Sequence, residues 1–250
     1  MSRIEHCGWG ILGASVASRA HRKMKTPNQD AWAATSTGTW AMAVVCDGLG
    51  SKPESAFGAK QACRAAIDAA RIWGPSACRD FHGLLRLLEL SWNVRVHAVG
   101  ADNSGSTCVL AFWRPCGDLY LAQLGDGVAA VAAPGVTPTM ALSGKGEFAN
   151  ETSSLGSIYN RDAWSVCQFS DLPEDSILLL ATDGVADHLD FSRWDEICNL
   201  ILGTVDVNAG KPVLSLRRQI GGLPFGDDRT LLFGRKLRPS KRVGTTSAIS

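Results

Sequence analysis

The chain has 250 residues, of which 45% are hydrophobic, and this length is enough to bury one large core. Its 25 basic and 24 acidic residues give a net charge of +1, so its composition does not indicate binding to nucleic acid or to an anionic membrane. No apolar run approaches the roughly 20 residues that span a bilayer. The eight cysteines are scattered without a Cys-x-x-Cys pair, as in reduced cytoplasmic proteins, and we expect one cytoplasmic, monomeric domain.

The first half of the chain changes from strand to helix patterns. Strand patterns cover residues 8–15 and 39–46, and between them lie a polar loop (21–30) and a short segment (31–35) that could pair between the two strands. Helical periodicity follows over residues 53–73, with Pro53 in the first turn and Gly74-Pro75 as the stop, and again over residues 81–99.

The second half begins and ends with strand patterns. The predicted strands are 107–113, 119–124, 128–133 as a continuation of the meander, 176–181 and 230–234; the predicted helices are 191–202 and 212–220. Residues 114–118 have the composition of a hairpin turn. Because the strands and helices come in groups, and do not alternate regularly, the order predicts an α+β architecture with antiparallel sheets.

Two segments have no clear periodicity. The Gly-rich stretch 144–152 is predicted to be a surface loop, which could contact a substrate. Residues 236–250 are mixed basic, Pro, Gly, Ser and Thr residues, and we expect a disordered basic tail after a catalytic domain that covers 1–235.

Three apolar strands are each followed by an Asp-Gly pair. Asp47-Gly48, Asp126-Gly127 and Asp183-Gly184 all stand directly after such runs, and Asp30 and Asp227-Asp228 also lie at the ends of predicted elements. A strand end holds a side chain rigidly at the rim of the core, and glycine lets the backbone approach a ligand closely. One Asp-Gly pair alone would be interpreted as a turn, but three behind apolar strands favour a shared site.

Carboxylates gathered at one rim repel one another unless a divalent cation neutralises them. Oxygen ligands without histidine or cysteine at matching spacing favour Mg²⁺, Mn²⁺ or Ca²⁺ over Zn²⁺. The five histidines show no spacing typical of a metal site, although His188 next to Asp187 could contact this one.

Six ordered motifs cover nearly the whole chain before the tail. They are Asn28-Gln29-Asp30, Val44-Val45-Cys46-Asp47-Gly48-Leu49-Gly50, Gly105-Ser106-Thr107, Leu124-Gly125-Asp126-Gly127, Ala181-Thr182-Asp183-Gly184-Val185-Ala186-Asp187 and Gly226-Asp227-Asp228-Arg229-Thr230. Their order resembles that of the metal-dependent serine/threonine protein phosphatases of type 2C, in particular bacterial stand-alone members. The resemblance implies a four-layer α-β-β-α sandwich, in which two antiparallel sheets are flanked by helices.

The resemblance also implies a centre of two Mn²⁺ or Mg²⁺ ions that activates water to hydrolyse phosphoserine or phosphothreonine in proteins. Asp47 would bridge the ions together with the carbonyl of Gly48, and Asp183 and Asp227 would complete the ligand set. Asp30 would hold the water that attacks phosphorus. Two further aspartates, Asp126 and Asp187, would correspond to a third metal position. A bacterial serine/threonine kinase or its target is the implied partner.

The chain departs from the family pattern at three positions. Lys25 stands where an arginine usually binds the substrate phosphate, and Lys25 or Arg22 is expected to take this role, although lysine lacks bidentate geometry. Gln29 replaces a frequent Glu, and Asp228 replaces a frequent Asn. These departures leave two other hypotheses open: an inactive relative that binds phosphoproteins, and a structural protein stabilised by Ca²⁺.

Overall fold

The computed structural model describes residues 4–76, 80–115, 117–133, 135–141, 153–156, 158–204, 212–224 and 226–237. The strands are β1 (Ile4–His6), β2 (Trp9–Val16), β3 (Asp30–Ser36), β4 (Ala41–Asp47), β5 (Cys108–Trp113), β6 (Leu119–Leu124), β7 (Val128–Ala132), β8 (Thr139–Ala141), β9 (Ser165–Phe169), β10 (Ile177–Ala181) and β11 (Arg229–Lys236). The helices are α1 (Arg19–Met24), α2 (Ser55–Trp73), α3 (Phe81–Val96), α4 (Asp183–Ala186), α5 (Trp194–Thr204) and α6 (Pro212–Gly221).

The strands form two antiparallel sheets. The order is β1-β2-β11-β10-β7-β8 in the six-stranded sheet and β3-β4-β5-β6-β9 in the five-stranded sheet. Helices α2 and α3 pack on the outer face of the five-stranded sheet, and α4, α5 and α6 pack on the outer face of the other. This is the α+β, four-layer α-β-β-α sandwich that the resemblance implies, and the predicted fold class is confirmed.

The central strand β4 shows why the sheet is buried on both faces. Met42, Val44 and Cys46 pack against α2 and α3, whereas Ala43 and Val45 pack against the six-stranded sheet. Successive side chains of a strand point to opposite faces, so a continuous apolar run fits a strand that has one core on each side. The same run ends at Asp47, which is where the strand reaches the rim of the sandwich.

Most predicted elements are present, with different ends. Helix α2 begins at Ser55, after Pro53, and ends at Trp73; the N–H of the next residue, Gly74, still bonds to the carbonyl of Ala70. Helix α3 ends at Val96, and the predicted C-terminal turn up to residue 99 is a separate turn. The last strand extends beyond the prediction on both sides and runs over Arg229–Lys236.

Three details of the sequence-based topology are wrong. Strand β7 does not continue the meander, because it pairs with β10 and β8 in the six-stranded sheet while β6 stays in the other. The segment 31–35 belongs to β3 and pairs with β4, but not with β2, which lies in the opposite sheet. The predicted polar loop 21–30 contains most of α1. Strands β8 and β9 were not predicted, because each has few buried side chains.

Two predicted segments cannot be compared with the structure. The loop 144–152 lies outside the described residues, as do residues 238–250 of the predicted tail. Among the residues that are described, no helix combines the length and the hydropathy needed to cross a bilayer.

Candidate active site

Three aspartates lie close together at one end of the sandwich, and each is positioned at or just after the end of a strand. Asp47 ends β4, Asp126 follows β6 after Gly125, and Asp183 begins α4 two residues after β10. Each of the three offers a carboxylate oxygen, and these oxygens all lie within 4.8 Å of one another. The structure therefore brings together all three Asp-Gly pairs that the strand pattern singled out.

Asp30 lies beside this group. It begins β3 and stands directly opposite Asp47 in the register of β3 and β4. The hydroxyl of Thr182 donates a hydrogen bond of 2.8 Å to Oδ2 of Asp30, whereas Oδ1 of Asp30 is buried without a hydrogen-bond partner among the described residues. A buried carboxylate oxygen without a partner is costly, and a cation, an ordered water or a proton shared with Asp47 would remove this cost.

The carboxylates of the site resist ionisation. Burial, followed by the charges of Asp30 and Asp183, raises the pKa of Asp47 to about 10. Burial also raises the pKa of Asp30 to about 7, although hydrogen bonds from Thr182 and Thr230 oppose this. The pKa of Asp183 is raised to about 6 by burial and then by the charge of Asp126. Desolvation and mutual repulsion both act against the charged forms.

A divalent cation would remove both of these penalties, and the donor set fits one. The converging atoms of Asp47, Asp126 and Asp183 are all carboxylate oxygens, which suit Mg²⁺, Mn²⁺ or Ca²⁺. The unpartnered Oδ1 of Asp30 adds an oxygen that a bound ion or its water could satisfy. The residues present therefore fit the implied metal centre.

A second acidic group lies next to the first and contains residues from near both ends of the sequence. Ligand atoms of His21, Asp227 and Asp228 lie within 4.8 Å of one another. The charge of Asp227 also raises the pKa of Asp47 and of Asp183, so the two groups are neighbours. Asp227 thus lies next to the first group, within a group that also contains a histidine.

Asp228 is held by three donors. Its Oδ1 accepts hydrogen bonds of 2.6 Å from the N–H of Ser18 and 2.9 Å from Nδ1 of His21, and its Oδ2 accepts one of 2.6 Å from the N–H of Gln29. These contacts fix the segment between β2 and β3 against the start of β11. The extra carboxylate, where the family often has Asn, therefore orders the backbone around the site.

Two glycines allow the close approaches on which the site depends. A Cβ on Gly48 would lie 2.4 Å from the carbonyl oxygen of Ser55, and a Cβ on Gly184 would lie 2.1 Å from the carbonyl oxygen of Asp228. Both distances are far shorter than any real contact of a Cβ atom. Gly48 and Gly184 are therefore required by packing against the protein's own backbone, whereas the sequence pattern was interpreted as a close approach to a ligand.

The other predicted site residues lie at the margin. Asp187 is exposed at the end of α4, and its charge raises the pKa of Asp183, but it is in neither group. Lys25 is exposed and ends α1 with a left-handed backbone (φ 58). Arg22 is exposed, and its Nε donates to the carbonyl of Ser18 at 3.4 Å, next to the N–H that binds Asp228.

Sequence reasoning missed three contributors to the site. Thr182 bonds to Asp30, and the hydroxyl of Thr107 accepts a hydrogen bond of 3.1 Å from the N–H of Asp47. Both residues belong to quoted motifs, which is the signal that could have singled them out. His21 lies 207 residues from its partner Asp228, and its spacing to other histidines carried no information about this contact.

The fold and the site together define a class: a four-layer α+β sandwich with an acidic, cation-compatible centre at one end. The sequence profile described as "Protein phosphatase 2C" matches residues 17–214, which is most of the chain. The chain belongs to the protein phosphatase 2C family, and the suspected resemblance is confirmed. No curated protein sequence matches the chain.

Solved structures of family members have the same fold at low identity. One is RsbX in complex with magnesium, with 14% identity, a TM-score of 0.61, and 94% of this chain and 97% of that chain covered. Another is the catalytic domain of the serine/threonine phosphatase PstP with two manganese ions, with 17% identity, a TM-score of 0.59, and 92% and 99% covered. A third is PppA of Pseudomonas aeruginosa, with 17% identity, a TM-score of 0.59, and 91% and 97% covered.

Proposed function

We propose that this chain hydrolyses phosphoserine and phosphothreonine in proteins with the help of divalent cations. The observation that carries the proposal is the convergence of the Asp47, Asp126 and Asp183 carboxylates next to the buried Asp30. Membership of the phosphatase 2C family supports it, because the residues that the family pattern assigns to metal and water are all present.

Asp47, the carbonyl of Gly48, Asp183 and Asp227 would hold two Mn²⁺ or Mg²⁺ ions, and Asp126 with Asp187 would hold a third. Such ions, when bound, would lower the pKa of a water molecule and neutralise charge on the phosphoryl oxygens. That relatives were solved with magnesium or with two manganese ions supports this choice of metals.

In this proposal Asp30 orients the attacking water and accepts its proton. Its Oδ2 is fixed by the hydroxyl of Thr182, which leaves the unpartnered Oδ1 to contact a water at the carboxylate cluster. A fixed carboxylate lowers the reorganisation needed in the transition state.

The substrate phosphate needs a cation from the protein, and Lys25 and Arg22 are the residues we assign to it. Both are exposed on α1 or at its end, and the backbone of α1 is tied to Asp228 through Ser18. A lysine would bind the phosphate as a point charge, whereas Arg22 could bind two of its oxygens at once.

The physiological setting follows from the same proposal. The substrate would be a phosphorylated protein, such as a bacterial serine/threonine kinase or its target, and the protein would act as a monomer. A cytoplasmic location is supported by the six described cysteines, which are free thiols and mostly buried.

The test is hydrolysis of p-nitrophenyl phosphate and of a phosphothreonine peptide by the purified protein. Each reaction is run with Mn²⁺, Mg²⁺ or Ca²⁺, or with a chelator. We expect turnover with Mn²⁺ or Mg²⁺ and none with chelator. Metal binding without turnover would contradict the proposal, and stabilisation by Ca²⁺ alone would indicate a structural ion.

A further inference from the structure

A basic groove lies beside the site on the outer side of the five-stranded sheet. It has a volume of about 440 Å³ and runs between the strand β3 and the helices α2 and α3. Four cationic side chains line it, and Asp68 is the one carboxylate among the lining residues: the cations are Lys60, Arg64, Arg71 and Arg95. Since the whole chain has a net charge of only +1, this is a local concentration of positive charge.

The spacing of the α2 residues explains the groove's charged wall. Lys60, Arg64, Ile67 and Arg71 recur every three or four residues, so they lie on one face of the helix. Asp68 forms ion pairs with Arg71, at 3.2 Å, and with Arg95 of α3. Two arginines share this one carboxylate, and a positive charge is therefore left over at this end of the groove.

Lys60 and Arg64 have no such compensation. Both side chains are exposed, and neither forms an ion pair with any residue in the described part of the chain. Unpaired cations along one helix face favour an anionic partner, which would gain from all of them at once.

The opposite wall is an edge strand. Within the part of the chain that is described, β3 pairs only with β4 and so leaves one edge open. Three side chains of β3 line the groove: the small Ala31 and Ala33, which pack towards α2, and the large Trp32. An open strand edge next to a groove accommodates an extended peptide.

The groove begins one residue from Asp30 along β3. Ala31, in its wall, follows Asp30 in β3, and Ala33 lies three residues from Asp30, roughly 10 Å along the strand. A peptide bound along β3 would therefore place a residue a few positions away at the carboxylate cluster.

We propose that this groove docks an acidic, extended segment of the protein substrate, with Lys60 and Arg64 as its principal counter-charges. As a statement about substrates the proposal rests on the proposed phosphatase function, but the binding itself does not require catalysis. Neither Lys60 nor Arg64 belongs to the catalytic site, so both act in docking alone.

Binding is tested first without catalysis. A fluorescein-labelled oligo-glutamate peptide without phosphate is titrated with the full chain in the presence of chelator, and its anisotropy is measured. The variant Lys60→Ala/Arg64→Ala is compared with Arg217→Ala/Arg218→Ala, which removes two exposed cations from α6 on the other side of the sandwich. We expect about tenfold weaker binding for the groove variant and no change for the α6 variant.

Turnover provides the second readout. With two phosphothreonine peptides, one flanked by glutamates and one by glutamines, the groove variant should raise KM about tenfold for the acidic peptide only. Its kcat, and its activity on p-nitrophenyl phosphate, should match those of the unmodified chain.

Three results would overturn the proposal: equal binding by both variants, no binding of oligo-glutamate by the unmodified chain, or tighter groove-dependent binding of a single-stranded oligonucleotide. An inactive chain that still binds the acidic peptide through Lys60 and Arg64 would contradict the phosphatase function and leave the groove in place. An active chain that binds the acidic peptide equally well without these two residues would contradict the docking proposal alone.

Discussion

Asp30 and Asp47 stand directly opposite each other on the neighbouring strands β3 and β4. Both are at the rim of the five-stranded sheet, and burial raises the pKa of both carboxyl groups. Two such groups side by side destabilise the folded chain unless a cation or a proton neutralises them. A cation bound between these two residues would therefore stabilise the folded chain.

The first prediction concerns stability without metal. In chelator, Asp47→Asn should raise the free energy of unfolding by on the order of 2 kcal/mol, because it removes a buried carboxylate beside Asp30. Mn²⁺ should raise the Tm of the unmodified chain and not that of the variant. Thermal melts with and without Mn²⁺ measure both effects. Asp171→Asn is the control, since Asp171 is exposed and asparagine tolerates its positive φ of 54.

The second prediction concerns the hydroxyl that fixes Asp30. Thr182 donates to Asp30 Oδ2 at 2.8 Å and accepts from the N–H of Thr230 at 3.0 Å, and all of these atoms are buried. Thr182→Val keeps the shape but removes the hydroxyl from both partners, so we expect a loss of about 1–3 kcal/mol in denaturant unfolding and a lower kcat. Thr182→Ser keeps both hydrogen bonds and should retain most of each property. Equal losses of stability and kcat in Thr182→Val and Thr182→Ser would contradict the role given to the hydroxyl.

The third prediction concerns the glycine after Asp183. In Gly184→Ala the new methyl group would clash with the backbone carbonyl of Asp228, which cannot move without disturbing Asp227. We expect a loss of about 1–3 kcal/mol in stability and much weaker Mn²⁺ binding by calorimetry. Gly38→Ala is the matched control, because nothing lies within 4 Å of a Cβ at Gly38. Normal Mn²⁺ affinity in Gly184→Ala would contradict the role given to this close approach.

The sequence predicts the residues at the strand ends, but it does not predict the contacts between segments that are distant in the chain. Asp47, Asp126 and Asp183 were predictable, because each follows an apolar strand and precedes a glycine. The contact of Asp228 with His21 joins positions near opposite ends of the chain, and no local pattern encodes it. The sequence likewise did not predict that the chain passes to the other sheet after β6. Strands β6 and β7 are both fully buried, so their hydrophobic patterns do not distinguish one sheet from the other.

The fourth prediction uses Glu89, a titrating group on α3 that belongs to neither acidic group. Burial raises the pKa of Glu89 to about 7, although the indole N–H of Trp164 donates to it at 2.7 Å. Because the folded pKa lies above the unfolded value of 4.5, ionisation of Glu89 opposes folding increasingly from about pH 4.5 to pH 7. The stability gained in Glu89→Gln should therefore be larger at pH 8 than at pH 5, by on the order of 2 kcal/mol.

Urea unfolding at the two pH values measures this difference. Glu196→Gln serves as the control, because Glu196 is exposed and its ion pair with Arg193 is screened by water. If the free energies of unfolding of Glu89→Gln and the unmodified chain differ by the same amount at both pH values, the raised pKa assigned to Glu89 is contradicted.

The central claim is that the clustered carboxylates make the chain a metal-dependent phosphatase. Its most direct test is the rate of phosphate release from a phosphothreonine peptide at saturating Mn²⁺, measured for the unmodified chain, Asp47→Asn and Asp171→Asn. We predict that Asp47→Asn lowers the rate at least about a hundredfold, while Asp171→Asn leaves it unchanged. Equal rates in all three proteins, or no phosphate release from the unmodified chain, would contradict the account.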